Sequence, residues 1–208
     1  MTPLSGLYAI TDSRLIPESH FYQTIELALK GGARIIQYRD KTSDHNKHLQ
    51  QAKALKQLCE KYQALCIIND DIELALAMDA DGLHIGRNDG DVSDIRQQLG
   101  EHKIIGVSCY NELALAQLAE QQGADYIAFG SFFPSPTKPD AQKASLELLT
   151  QARQHIKIPI CAIGGITLNN GAQLLDAGAD MLAVISDVFS HDDVLSASKK
   201  FQRLFEQY

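Results

Sequence analysis

Gly123-Ala124-Asp125-Tyr126-Ile127-Ala128-Phe129-Gly130-Ser131-Phe132-Phe133-Pro134-Ser135-Pro136-Thr137-Lys138-Pro139-Asp140 holds one complete structural unit. Glycine ends a helix in a left-handed cap, and the next strand starts at once. Tyr126–Phe129 is apolar throughout and reads as a buried strand. The loop after it carries Pro134, Pro136 and Pro139. Proline fixes φ and removes a backbone donor, so this loop is neither sheet nor helix interior. It is stiff, and it presents Ser135, Thr137 and Lys138 at a strand's C-terminal end. Hydroxyls, amides and an ammonium in that position suit a phosphate. Taken alone, the loop reads better as a solvated proline-rich turn.

The same turn recurs along the chain. Gly31-Gly32-Ala33 and Gly178-Ala179-Asp180 each precede a strand, and Ala80-Asp81-Gly82 is a variant. The strands read as Leu7–Asp12, Arg34–Arg39, Leu65–Asp70, Gly82–Gly86, Ile104–Cys109, Tyr126–Gly130, Ile158–Gly164 and Met181–Ser186. Amphipathic helices lie between them. In Asp44–Tyr62, residues Leu49, Ala52, Leu55, Leu58 and Cys59 mark one face at helical spacing; Asn111–Gln122 and Val194–Phe205 behave alike. Strict β-α alternation argues for a parallel sheet covered on both faces. Eight units predict an α/β fold, a closed (β/α)8 TIM barrel, as one catalytic domain over residues 1–208. An open doubly wound sheet is the runner-up.

Composition narrows the function. The formal net charge of −7 offers no general attraction to nucleic acid or an anionic membrane. An anionic ligand must therefore be held by local cations. Cys59, Cys66, Cys109 and Cys161 show no Cys-x-x-Cys spacing and read as reduced, buried thiols of a cytoplasmic protein. The N-terminus has no signal-peptide pattern, and no apolar run approaches the ~20 residues of a bilayer span.

In a barrel, chemistry belongs at the strand C-termini. Alternation along strand 2 puts Gln37, Arg39 and Lys41 on one side, with Ile36 and Tyr38 on the other. Strand 3 ends Asn69-Asp70-Asp71, where capping of the next helix explains one of the three and not all of them. Asp70 and Asp89 follow neighbouring strands, and two carboxylates beside cations suit Mg²⁺. His84 lies inside strand 4 and reads as a hydrogen-bonded core histidine; His45 and His48 read as helix-surface residues. Ser108 is either a substrate contact or a helix cap. Gly164-Gly165 and Ser186 follow strands 7 and 8, where barrels hold phosphate monoesters. Two anion pockets emerge on one face. One is cationic and fits a diphosphate; the other, of hydroxyls and amides, fits a monophosphate. That pairing points to the joining of two phosphorylated molecules.

The chain resembles the thiamine-phosphate synthase family over nearly its whole length. The resemblance rests on Leu7–Asp12, Gln37-Tyr38-Arg39-Asp40-Lys41, Ile68-Asn69-Asp70, Asp81–Gly86 with Asp89, Ile105–Ser108, Phe133–Lys138 and Ala162–Ile166, in that order. It implies condensation of hydroxymethylpyrimidine diphosphate with hydroxyethylthiazole phosphate, with Mg²⁺ as cofactor. Gln37, Tyr38, Arg39, Asp40, Lys41, Asn69, Ser108 and Lys138 match the pyrimidine diphosphate site. Of these, Arg39, Lys41, Lys138 and Ser108 match the catalytic set. Ser135, Pro136, Thr137, Gly165, Ile185 and Ser186 match the thiazole phosphate site, and Asp70 and Asp89 the metal ligands. Partners reduce to two small phosphorylated substrates, without nucleic acid or membrane; a homo-oligomer is left open. Ser131, Ser135, Arg87 and Tyr110 depart from the commonest family pattern. A thiazole tautomerase-like barrel and a non-catalytic sensor of thiamine phosphates are the alternatives. The first would have no reason to keep Arg39, Lys41, Asp70, Asp89 and Lys138 together.

Overall fold

A computed structural model describes residues 4–135 and 142–208. Eight parallel strands close into a barrel in sequence order, β1 pairing with both β2 and β8. They are β1 (Gly6–Ile10), β2 (Ile35–Tyr38), β3 (Leu65–Asn69), β4 (Gly82–Ile85), β5 (Ile104–Tyr110), β6 (Tyr126–Phe129), β7 (Ile160–Ile163) and β8 (Met181–Val184). The helices α1 (Phe21–Lys30), α2 (His45–Lys61), α3 (Ile72–Ala77), α4 (Val92–Leu99), α5 (Leu113–Gln121), α6 (Leu146–His155), α7 (Leu168–Asp176), α8 (Ser186–Phe189) and α9 (Val194–Phe205) alternate with them. The fold is the TIM barrel that the alternation predicts; closure rules out the open sheet. Among the described residues no helix is long and apolar enough to cross a membrane.

Strand alternation sorts the apolar residues into two cores. Leu7, Ala9, Ile36, Ile68, Leu83, Ile127, Ala162 and Leu182 face the helices. Tyr8, Ile10, Ile35, Ile67, Ile104, Tyr126, Cys161, Met181 and Ala183 fill the barrel. Gly106 makes room for one of them: a Cβ there would lie 1.9 Å from the Tyr126 ring. All four cysteines are free and buried. Burial pushes the Cys109 thiol up to about 12, so it stays protonated and inert.

The repeated turns close the N-terminal end. Gly32, Gly123 and Gly178 take the left-handed backbone, with φ of 98°, 94° and 106°. In the variant turn Asp79 does so instead, at φ 54°. Each aspartate that follows then ties a strand to a helix. Asp81 accepts from Cys66 N–H at 2.8 Å and pairs with Lys56 of α2. Asp125 accepts from Ile105 N–H at 2.8 Å and pairs with Arg96 of α4. Asp180 accepts from Ile160 N–H at 2.7 Å and pairs with Arg153 of α6. These turns are scaffold.

Most predicted strands run one or two residues too far at one end. Thr11 has left the strand; its hydroxyl accepts from Arg39 N–H at 2.8 Å and donates to Arg39 C=O. Helix α9 has the predicted bounds, and α2 starts one residue inside them because Asp44 caps it, accepting from Lys47 N–H. His48 corrects its surface reading: it is buried, with Nε2 3.2 Å from Thr42 Oγ1.

Candidate active site

At the C-terminal end of the strands lies a cavity of about 970 Å³. That is near the upper end for a ligand site and large enough for two small molecules side by side. It gathers Gln37, Arg39, Lys41, Asn69, Asp70, Asp89 and Ser108 on the side of β2–β5. On the other side it gathers Ser135, Gly165, Ile185 and Ser186. Tyr38 and Asp40 lie elsewhere. Tyr38 points outward and donates to Gln51 Oε1 at 3.0 Å, as alternation requires. Asp40 accepts from Thr42 N–H and Lys47 Nζ, both at 2.8 Å, and borders a separate side pocket. Pro136, Thr137 and Lys138 lie outside the described residues.

The run Asn69-Asp70-Asp71 divides its labour. Asp71 caps α3, accepting from Leu74 N–H at 2.9 Å. Asp70 has φ 63°, a left-handed conformation that aspartate tolerates better than most residues. That turn leaves Asn69 and Asp70 at the cavity. Lys41 Nζ and Asn69 Nδ2 donate to Asp70 Oδ2 at 2.8 and 2.6 Å. Asp89 accepts from Gly86 N–H at 2.7 Å and also meets Asp70. Burial, the largest single influence, pushes the Asp70 carboxyl up, but Lys41, Asp89 and Asn69 together bring the net direction down. Asp89 goes up, from burial and then from the charge of Asp70. Two touching carboxylates need a shared proton or a cation between them.

His84 is the buried, hydrogen-bonded histidine its sequence position suggested, but sequence reasoning missed that it belongs to the floor of this cavity, and missed Tyr8 altogether. Tyr8 and His84 both line it. Gln37 Nε2 donates to the Tyr8 hydroxyl at 2.8 Å, and Tyr8 meets the Tyr126 hydroxyl at 2.8 Å. Tyr126 meets His84 Nδ1 at 2.9 Å, and His84 Nε2 meets Ser108 Oγ at 2.8 Å. Five strands thus contribute one continuous hydrogen-bonded chain. Burial pushes both phenols up, so they remain neutral hydroxyls. Ser108 therefore serves the floor and not a cap; Glu112 occupies the N-cap position of α5. The signal was available: His84 is two residues from Gly82 and shares its inward parity.

The opposite wall is largely apolar, with Ile10, Ala128, Cys161, Ile163 and Ala183. The β6 loop is fastened across it. Phe132 N–H donates to Ile163 C=O at 3.2 Å, and Phe133 N–H to Gly164 C=O at 3.0 Å. The glycine pair exists for this approach. Gly164 and Gly165 have φ of 102° and 60°, and a Cβ on Gly165 would lie 2.4 Å from Pro134 O. The loop thereby holds Ser135 on the same wall as Gly165 and Ser186.

The Thiamine monophosphate synthase family model matches residues 7–188. The chain belongs to the thiamine-phosphate synthase family. Membership makes it an enzyme, a transferase of thiamine biosynthesis. It is 52% identical to the thiamine-phosphate synthase of Acidithiobacillus ferrooxidans, over 97% of this chain and 94% of that one. The thiamine-phosphate synthase of Nitrosococcus oceani is 46% identical, over 99% and 94%. Among solved structures, thiamine phosphate pyrophosphorylase from Pyrococcus furiosus superposes with a TM-score of 0.89. It is 39% identical, covering 97% of this chain and 96% of that one.

Proposed function

We propose that the chain joins 4-amino-2-methyl-5-hydroxymethylpyrimidine diphosphate to hydroxyethylthiazole phosphate, releasing thiamine phosphate and diphosphate. The observation that carries this reading is one cavity with two unlike halves. Arg39 and Lys41 border the half that takes the diphosphate, and Ser135, Gly165 and Ser186 the half that takes the monophosphate. The apolar lining of the cavity, Ile10, Ala128, Cys161, Ile163 and Ala183, suits the two aromatic rings.

The reaction is a substitution at the pyrimidine methylene. The C–O bond to diphosphate breaks and its electron pair leaves on oxygen. The thiazole nitrogen then supplies the pair for the new C–N bond. No proton is removed from either reacting atom, which agrees with a cavity floor whose two phenols stay protonated. Arg39 and Lys41 would stabilise charge growing on the departing oxygen, and Lys138 of the β6 loop is assigned the same role. Gln37, Asn69 and Ser108 would orient the pyrimidine. Asp70 and Asp89 would hold Mg²⁺. Among the described residues no group of three or more His, Cys, Asp or Glu forms a metal cage. Two carboxylates with phosphate oxygens and water match the way Mg²⁺ binds substrates. When bound, it would neutralise diphosphate charge. Holding the two substrates in contact would supply much of the rest, roughly 7–11 kcal/mol for well-oriented partners. The free cysteines fit a reducing cytoplasm.

The test is to mix both substrates with Mg²⁺ and follow thiamine phosphate by mass. Formation with turnover is expected. Folded protein that binds both ligands yet forms none would replace the enzyme with a sensor.

A further inference from the structure

Arg87 and Tyr110 line the charged half of the cavity beside Asp89, and they act as one unit. The Arg87 guanidinium carbon sits 4.9 Å from the centre of the Tyr110 ring. Arg87 N–H donates to the Tyr110 hydroxyl at 3.3 Å. The guanidinium also pairs with Glu112, which is not part of the cavity wall.

Tyr110 is held where it is by the backbone. It has φ 55°, a left-handed conformation costly for a tyrosine, at the point where β5 slips register against β6. Its hydroxyl and the Asp89 carboxylate converge on Gly86. A Cβ there would lie 3.3 Å from the first and 3.1 Å from the second. Arg87 is thus one aromatic ring away from the Asp89 carboxylate.

The pairing with Glu112 is weakly committed. Both side chains are about half exposed, at 54% and 46%, so water and salt screen their attraction. A diphosphate offers more charge and more oxygens, and a guanidinium fork matches phosphate geometry while stacking on an aromatic face.

We propose that Arg87 is a further diphosphate-binding residue, which exchanges Glu112 for phosphate oxygens while Tyr110 keeps its guanidinium at the cavity wall. The assignment rests on the synthase reading for the identity of the diphosphate. Its alternative is a surface ion pair that merely joins the β4 loop to the start of α5.

Titration calorimetry with inorganic diphosphate and Mg²⁺ separates the two. Arg87→Gln should weaken binding about tenfold, and Arg87→Lys less, because an ammonium keeps charge but not the fork. Glu112→Gln should tighten binding about threefold by freeing the guanidinium. KM for the pyrimidine diphosphate should follow these changes, and KM for the thiazole phosphate should not. Unchanged binding by Arg87→Gln overturns the proposal, as does weaker binding by Glu112→Gln, the mark of a structural pair. Should Arg87→Gln fail to fold, Arg87→Lys against Glu112→Gln distinguishes the same two cases. The two readings fail separately. Wild type that binds diphosphate with these differences but makes no thiamine phosphate loses only the synthase. Wild type that turns over while Arg87→Gln binds normally loses only Arg87.

Discussion

The two ends of the barrel use the same residue types in different ways. At the N-terminal end Asp81, Asp125 and Asp180 each accept a backbone N–H near the start of a strand and a cation from the preceding helix. Fixed backbone fills one side of each carboxylate. At the C-terminal end Asp70 is held mainly by side chains, those of Lys41, Asn69 and Asp89. Lys41 itself is 60% exposed. Side chains can turn away and backbone cannot. The first arrangement suits permanence, and the second suits exchange of partners for a ligand.

Substitutions should separate these two uses, beginning at the cavity. Asp70→Asn keeps the shape of the side chain and removes its charge. We expect kcat/KM to fall by about 10²–10³, the range for deleting one electrostatic contact to a transition state, with melting shifted by only a degree or two. Steady-state kinetics and a thermal melt check both halves. Loss of folding with rate per folded molecule intact would turn Asp70 into scaffold. Asp81→Ala should do the reverse. It leaves Cys66 N–H without its acceptor and, among the described residues, Lys56 with Glu60 as its remaining ion-pair partner. The expected cost is ~1–3 kcal/mol by denaturant titration, with turnover per folded molecule unchanged. Asp81→Asn, which keeps an acceptor, should cost less. Equal costs would mean the charge, not the hydrogen bond, holds the strand.

The scaffold end was easier to read from sequence than the cavity, for a physical reason. Glycine turns, apolar strands and amphipathic helices are local patterns, and each survives in the fold at or near its predicted bounds. Val194–Phe205 needs only its own 3.6-residue period and the Asp193 cap. The cavity needs residues from several strands at once. Where alternation alone was used, it placed Gln37 and Arg39 inward and Tyr38 outward, as found. Tyr38 and Asp40, carried over with their motif, fall outside the main cavity because a motif does not respect that parity. Applied to β1 and β4, the same parity would have put Tyr8 and His84 inside. The Arg87–Glu112 pair was not legible, since nothing local brings the β4 loop to the start of α5.

Asp12 is the sharpest test of the comparison because it sits at the cavity end but is held as the scaffold aspartates are. It is 3% exposed and accepts from Arg14 N–H, Nε and Nη2 at 2.9, 3.0 and 2.8 Å. The Arg14 hydrogen bond is the main force holding its carboxyl below the ordinary value, ahead of the opposing effect of burial. A depressed folded pKa gives stability that is fully present above the unfolded value of ~3.9 and lost as pH falls below it. The partner Arg14 is 65% exposed, so solvent screens much of the effect and the loss is small. Asp12→Asn should therefore flatten the acid limb of a stability–pH curve below about pH 4, and shift stability at neutral pH by ~1 kcal/mol or less. Its effect on turnover should stay within about threefold, because Asp12 approaches Arg39 only at 4.0 Å. A rate loss as large as that of Asp70→Asn would show that position in the barrel, and not the way a carboxylate is held, decides its use.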